Sequence, residues 1–454
     1  MRKAIVHGVG MSKMYVKALH HQHWLIKCSI IDHFTFRAPV PVVFFYSKAI
    51  DSNTIIKALQ HVLNDFPIFA GVLVRDRGQL YIDCNNQGVS VQVVHLQSSM
   101  VQQLANFPKL SSSTLVDLFD PYKSLKQRKP VLTIKITYFS DGMAIGYCWH
   151  HSIGDMSTFM ELLKAVSAFS QGKSYEKPVI LEDRESYLHE CQLKGAPLPK
   201  QDASSRLKCL GILDVFRFIK GILSPKRNFF MYFTQEEVAS LRDSISEQTG
   251  RKISRNEAVC AHLLDLIAPC RSDPATVHHA SIIVNFRKRI GLPLNVLGNC
   301  VDVLKLTFNK PYTVNDSASS IHSAMIDYRF HHSETSDFIE KNGGIKNVGR
   351  IIPKELLPQY KNLIVTNWSN FGVYSIDFGV AAPIMFMPTG KAPFAWVSCI
   401  VEGFKNKGLL VVLVLPSKVA KRFATPATRE KIHKYRPQLS PEDTAIFKEN
   451  SWCI

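Results

Sequence analysis

The chain has 454 residues, 46 % of them apolar, which is enough to fill the cores of about two to three average domains. No uncharged apolar run of about 18 residues occurs, and no apolar segment with a small-residue cleavage site follows the N-terminus. Neither a membrane span nor a secretory leader is therefore expected, and a cytosolic location is. The net charge of +18 suits a polyanionic ligand, an acidic membrane surface or nucleic acid; the basic residues are spread along the chain with no named module, so no nucleic-acid partner is expected.

In chain order, His20, His21 and His23 form a first histidine cluster, read as surface or core, with no metal expected. Apolar alternation predicts strands from Val40 to Tyr46, Leu80 to Cys84, Val89 to His95, Val131 to Phe139 and Met143 to Trp149. Helical spacing predicts helices from Ile55 to Leu63 and from Ser157 to Phe169. Between the last strand and the last helix stands Trp149-His150-His151-Ser152-Ile153-Gly154-Asp155. A strand-to-helix junction presents side chains to a cavity, and an imidazole there has the pKa for proton transfer near neutrality. A core histidine, with Asp155 as a plain helix cap, is the competing reading. Adjacent histidines on a strand point to opposite faces and no ligand cluster follows, so a metal site is not expected.

The segment from about Ser174 to Arg227, rich in Lys, Gln, Pro and Ser, reads as a crossover. Within it Leu207, Leu210, Leu213, Phe216, Ile219 and Leu223 line one helix face beside Lys208, Arg217 and Lys220. Covering the core is the ordinary task of such a face, and a peripheral membrane contact is the second reading. Beyond it come a strand from Met231 to Phe233 and helices from Gln235 to Gln248 and Ser254 to Ile267, the latter opened by the capping-box pair Ser254 and Glu257. Strands from Ser281 to Phe286, Val301 to Phe308, Tyr360 to Val365, Ala395 to Val401 and Gly408 to Leu415 complete a second half with the texture of the first. Ten scattered cysteines without CxxC pairs are expected to be reduced and buried.

HHSIGD at 150–155 is similar to an HHxxxD signature, and Cys28-Ser29-Ile30-Ile31-Asp32 to an LSxxD start. Asp65 to Leu73 resembles a YPLAGRL segment and Ile82 to Val89 an ICNxEGV segment. Val284 to Arg289 with Leu297-Gly298-Asn299-Cys300-Val301 resembles a VDxRxRL and FGNxV pair. Val365-Thr366-Asn367-Trp368 and Tyr374 to Gly379 resemble TSW and YxxDFGWG motifs. Taken together and in this order, the segments resemble the BAHD acyltransferases, which move an acyl group from coenzyme A to an alcohol or amine.

The resemblance implies an α/β fold of two similar mixed-sheet domains, residues 1–175 and 229–423, joined by a crossover over 176–228, with a channel between them and a basic extension over 424–454. It implies a monomer that takes acyl-CoA as co-substrate, with no permanently bound cofactor, and a small-molecule alcohol or amine as acceptor. His151 is then the general base and no acyl-enzyme is needed. Asp155 turns away from His151 and pairs with Arg287, a structural task on which catalysis depends. Trp368 and Thr366 are the candidates for stabilising the oxyanion. Ser254, Lys252 and Arg255, at a helix start that suits a phosphate, are the candidates for coenzyme A contact. Asp377 and Gly379 of the DFG-like motif are structural.

Departures from the pattern are also legible. The motif reads Asp377-Phe378-Gly379-Val380-Ala381, without the tryptophan and second glycine; Asn285 replaces an aspartate and Val72 an arginine. Asn370 stands where shikimate-type members have an arginine, so a carboxylated acceptor is not expected. Altered packing at 380–381 leaves a non-catalytic coenzyme-A-binding or scaffold protein as one alternative. The basic tail, with Arg429, Lys431, Lys434 and Arg436, leaves binding of an acidic partner or membrane as another.

Overall fold

Residues 8–36, 38–194, 203–271, 277–357, 361–389, 392 and 394–454 are described by a computed structural model. Five strands of the first half, β1 (Gly8–Val16), β2 (Pro39–Tyr46), β3 (Val89–Leu96), β4 (Leu132–Phe139) and β5 (Gly142–His150), are bonded in the order β1-β3-β4-β5-β2. β4 and β5 form a hairpin in which Leu132 faces Trp149 and Phe139 faces Gly142, and the Ser140-Asp141 turn closes it. Every residue of β5 is buried, which its nearly uninterrupted apolar run requires. Helices α1 (Ser52–Val62) and α2 (Met156–Ser170) pack on each other, with His61 stacked on Phe169 at 3.9 Å.

In the crossover, helix α3 (Ile212–Leu223) precedes β6 (Lys226–Phe233). Helix α4 (Arg255–Ile267) follows, opened by the Ser254–Glu257 capping box. Then come β7 (Val277–Asn285), β8 (Val301–Asn309), β9 (Leu363–Trp368), β10 (Met385–Pro388), β11 (Val397–Glu402) and β12 (Leu409–Pro416). The second sheet has the order β6-β12-β11-β9-β7-β8, with β9 parallel to both neighbours. The architecture is mixed α/β with two six-stranded mixed sheets. The strand expected from Tyr360 begins at Leu363 and runs on through Trp368, while Tyr360 itself lies outside the described residues.

Two placements differ from the sequence reading. β10 pairs antiparallel with β2, Phe386 facing Phe44, so part of the 229–423 segment completes the first sheet. Four residues ending at a proline are too short to show a strand period. The helix expected to begin at Leu207 starts instead at Ile212, because Leu207–Cys209 forms a short strand and Leu210 lies before the helix. The residues after 423 pack on the rest of the chain. Arg436 donates to Glu237 at 3.0 Å, Trp452 meets Phe230 at 5.1 Å, and Ile454 exchanges backbone hydrogen bonds with Phe230 and Tyr232. Among the described residues no helix is long and apolar enough to cross a membrane. Cys209 is exposed, Cys191 and Cys453 half-buried and the other seven thiols buried.

Candidate active site

β5 delivers two histidines to the junction and the backbone separates their fates. The amide of His150 bonds the carbonyl of Val131 at 2.8 Å, and that of His151 the carbonyl of Ala38 at 3.2 Å, so the strand end is held from both sides. His150 turns inward between Phe36 and Phe119 and is wholly buried; burial, aided by its neighbour His151, pushes its pKa down to about 3. It stays neutral at physiological pH and packs. His151 is half-buried and lines a cavity of about 400 Å³.

The partners of His151 define its tautomer. Its Nδ1 lies 3.0 Å from Asn299 Oδ1, while Asn299 Nδ2 donates to Asp32 Oδ1 and to the carbonyl of His151, both at 2.7 Å. The carboxylate and the carbonyl only accept, so the amide nitrogen must face them and the amide oxygen must face the ring. Nδ1 therefore bears the proton and donates it to Asn299, which leaves the lone pair on Nε2.

Two buried arginines fix the loop that follows. Asp155 accepts from Arg287 Nη1 at 2.8 Å and Nη2 at 3.0 Å, from the amide of Cys300 at 2.9 Å and, as the cap of α2, from the amide of Thr158 at 3.0 Å. Burial raises the Asp155 pKa, but the guanidinium and these hydrogen bonds outweigh it and hold it below the ordinary carboxylate value. Arg287 also donates to the carbonyls of Val296 and Gly298, so its charge is fully solvated by protein. Arg184, from the crossover, donates to Asp32 at 3.1 Å and to the carbonyls of Ser152 and Ile153. The loop is thus clamped by the second half through Arg287 and by the crossover through Arg184.

The cavity brings His151, Asp155, Thr366 and Trp368 together. Its apolar lining includes Ile31, Phe34, Val40, Ile283, Val301 and Phe330, and its polar lining Arg206, Lys305 and Glu355. Ser254, Lys252 and Arg255 are exposed at the start of α4 and do not line it; the Ser254 hydroxyl is occupied in capping Glu257. They are close in structure all the same, because Asn256 in the same turn accepts at 2.6 Å from Asn367, between Thr366 and Trp368. Asp377 and Gly379 stand elsewhere. Asp377 accepts from Gln171 just past the end of α2 and from the Gly379 amide, Gly379 adopts a φ of +77°, and Val380 is exposed. None of residues 377–381 touches the cavity, so the motif's departure falls on a surface contact. Among the described residues no group of three His, Cys, Asp or Glu is disposed to hold a metal ion.

A family model described as the Transferase family matches residues 11–428. The chain belongs to that family, the BAHD acyltransferases. Among its relatives are a limonoid 21-O-acetyltransferase of Melia azedarach, 24 % identical over 88 % of this chain and 92 % of the relative, and putrescine hydroxycinnamoyltransferase 3 of Oryza sativa subsp. japonica, 25 % identical over 80 % and 84 %. The solved structure of F. sporotrichioides TRI101 with coenzyme A and T-2 shares the fold at a TM-score of 0.73 and 15 % identity, covering 90 % of this chain and 98 % of that one.

In this BAHD member, sequence reasoning missed the parts played by Asn299, Asp32 and Arg184. Asn299 and Asp32 lay within recognised motifs, but nothing local says that residues 148 and 267 positions apart share a hydrogen bond. Arg184 had a weaker signal still, as one charged residue in a polar connecting segment.

Proposed function

We propose that the chain transfers an acyl group from acyl-CoA directly to the hydroxyl or amine of an apolar small molecule, with His151 as general base. The observation that supports this most is the Asp32–Asn299–His151 chain, which sets the Nδ1–H tautomer, so that the neutral ring carries its lone pair on Nε2, in a residue that lines the cavity. As the acceptor oxygen or nitrogen attacks the thioester carbon, its proton passes to Nε2. When the tetrahedral intermediate collapses, the C–S bond breaks and the thiolate of coenzyme A takes that proton back. A thioester is electrophilic enough to react with a positioned nucleophile, so no covalent relay is required.

Negative charge on the carbonyl oxygen needs donors aimed at it, and the Trp368 indole N–H and Thr366 hydroxyl, both in the lining, are assigned that role. Lys252 and Arg255 are exposed at the α4 start, where their charge and the positive end of the helix suit the phosphates of coenzyme A. The largely apolar lining favours an apolar acceptor, and Asn370, where shikimate-type members carry an arginine, is exposed outside the cavity.

The direct test measures free thiol released from acetyl- and longer acyl-CoA with a panel of apolar alcohols and amines, and identifies the products by mass. Acceptor-dependent thiol release with an acylated product is expected; no release with any pair would overturn the reading. Asn299→Ala should lower kcat by about 10- to 100-fold while KM for acyl-CoA stays within about twofold, since a positioning residue shapes the transition state and not donor binding. An unchanged kcat would remove Asn299 from the mechanism.

A further inference from the structure

The amphipathic face of α3 does not cover the core. Ile212, Val215, Phe216, Ile219, Ile222 and Leu223 follow helical spacing along one side, and all six are exposed, Ile212 at 78 %, Phe216 at 66 % and Leu223 at 76 %. The helix is seated by its other side: Asp214 is buried against Lys208 at 2.9 Å, and Phe218 meets Phe394 at 4.9 Å. An apolar stripe left in water on a well-anchored helix is costly, and a continuous patch of this kind marks a contact surface.

We infer that α3 docks this chain on the surface of an anionic lipid bilayer. Charge selects the occupant. On the helix and just after it stand Arg217, Lys220, Lys226 and Arg227, while the one acid of the helix, Asp214, is turned inward and paired with Lys208. Arg217 and Lys220 flank the apolar stripe and are exposed. Aliphatic and phenylalanine side chains bordered by basic ones are what the headgroup and acyl boundary of an acidic leaflet accept. A second copy is disfavoured, because a twofold pairing of these faces would set Arg217 and Lys220 against their own counterparts in molecules of net charge +18. Twelve residues rise about 18 Å, too short to span a bilayer, so the helix lies in the interface.

The position of α3 suits an apolar ligand. Gly221, Ser224 and Pro225 line a second cavity of about 330 Å³, which shares Glu355, Leu356 and Ile364 with the cavity of His151. A molecule dissolved in the bilayer would meet this side of the protein first. Docking itself is independent of turnover and is measured without donor or acceptor.

The full chain is sedimented with vesicles of phosphatidylcholine alone and of phosphatidylcholine with about 30 % phosphatidylserine. The wild type should partition onto the anionic vesicles at least about tenfold more strongly than onto the neutral ones. The combined variant Ile212→Ser, Phe216→Ser and Ile219→Ser should lose at least about tenfold of that partitioning with its circular dichroism and unfolding midpoint unchanged, because the three side chains face solvent. A wild type that stays in the supernatant, that binds both vesicles equally, or that the variant matches overturns the inference. So does a wild-type dimer that the variant converts to monomer, for then a second copy covers the face.

Discussion

His151→Ala should lower kcat/KM by about a thousandfold, or about 4 kcal/mol of transition-state stabilisation, with KM for acyl-CoA little changed. The magnitude follows from what is lost. Without Nε2 the acceptor must attack as a neutral hydroxyl or amine and the thiolate must leave unprotonated, while the cavity still holds both substrates together. Stability should fall by only about 1 kcal/mol, since the ring is half-buried and contributes one neutral hydrogen bond, to Asn299. Free imidazole, which fits the space the side chain vacates, should restore part of the rate. The measurement is steady-state thiol release beside a thermal melt. Turnover within about fivefold of wild type would show that no proton passes through this residue.

The junction that holds His151 was legible because its signals are local. An apolar run ended at two histidines, a glycine and a capping aspartate followed, and a helical period began within two residues, so β5, the turn and α2 fell where the pattern put them. The strands β2, β3, β4, β7, β8, β9, β11 and β12 were legible for the same reason, to within a few residues at their ends. What local pattern cannot show is which distant segment answers a buried donor. Asn299 reads as one residue of a short turn until the fold sets it between His151 and Asp32. β10 was hidden by its length, and β1 by a mixed edge sequence in which Met11, Met14 and Tyr15 stay exposed. The face of α3 misled in the opposite direction. Its period held only from Leu213 onward, since Leu207 lies in a strand and Leu210 precedes the helix; periodicity also reports that a helix has two sides and not which one meets the protein.

Arg287→Met should be the most destabilising single change in the site, by about 3–5 kcal/mol near neutral pH, because it leaves the Asp155 carboxylate buried with only two amides to meet it. The sign of its pH dependence separates this cause from simple loss of packing. In the wild type the Asp155 pKa is held below its ordinary value, so its contribution is present above the unfolded value of about 3.9 and is lost as pH falls through the folded one. In the variant the guanidinium is gone and burial, the largest influence on this carboxyl, raises the folded pKa above the unfolded one. The variant then loses stability as pH rises above about 4, and its deficit against wild type should be largest at pH 7 and shrink toward pH 4. Asp155→Asn added to Arg287→Met removes the buried charge, so the double variant should regain much of the lost stability at pH 7 while acyl transfer stays impaired, since the loop bearing His151 still lacks the bidentate guanidinium that held it at residue 155. Denaturant titrations of the four proteins at the two pH values decide the matter: a deficit that does not change with pH, or a double variant no more stable than Arg287→Met, would mean that the arginine holds the loop by shape and not by its charge.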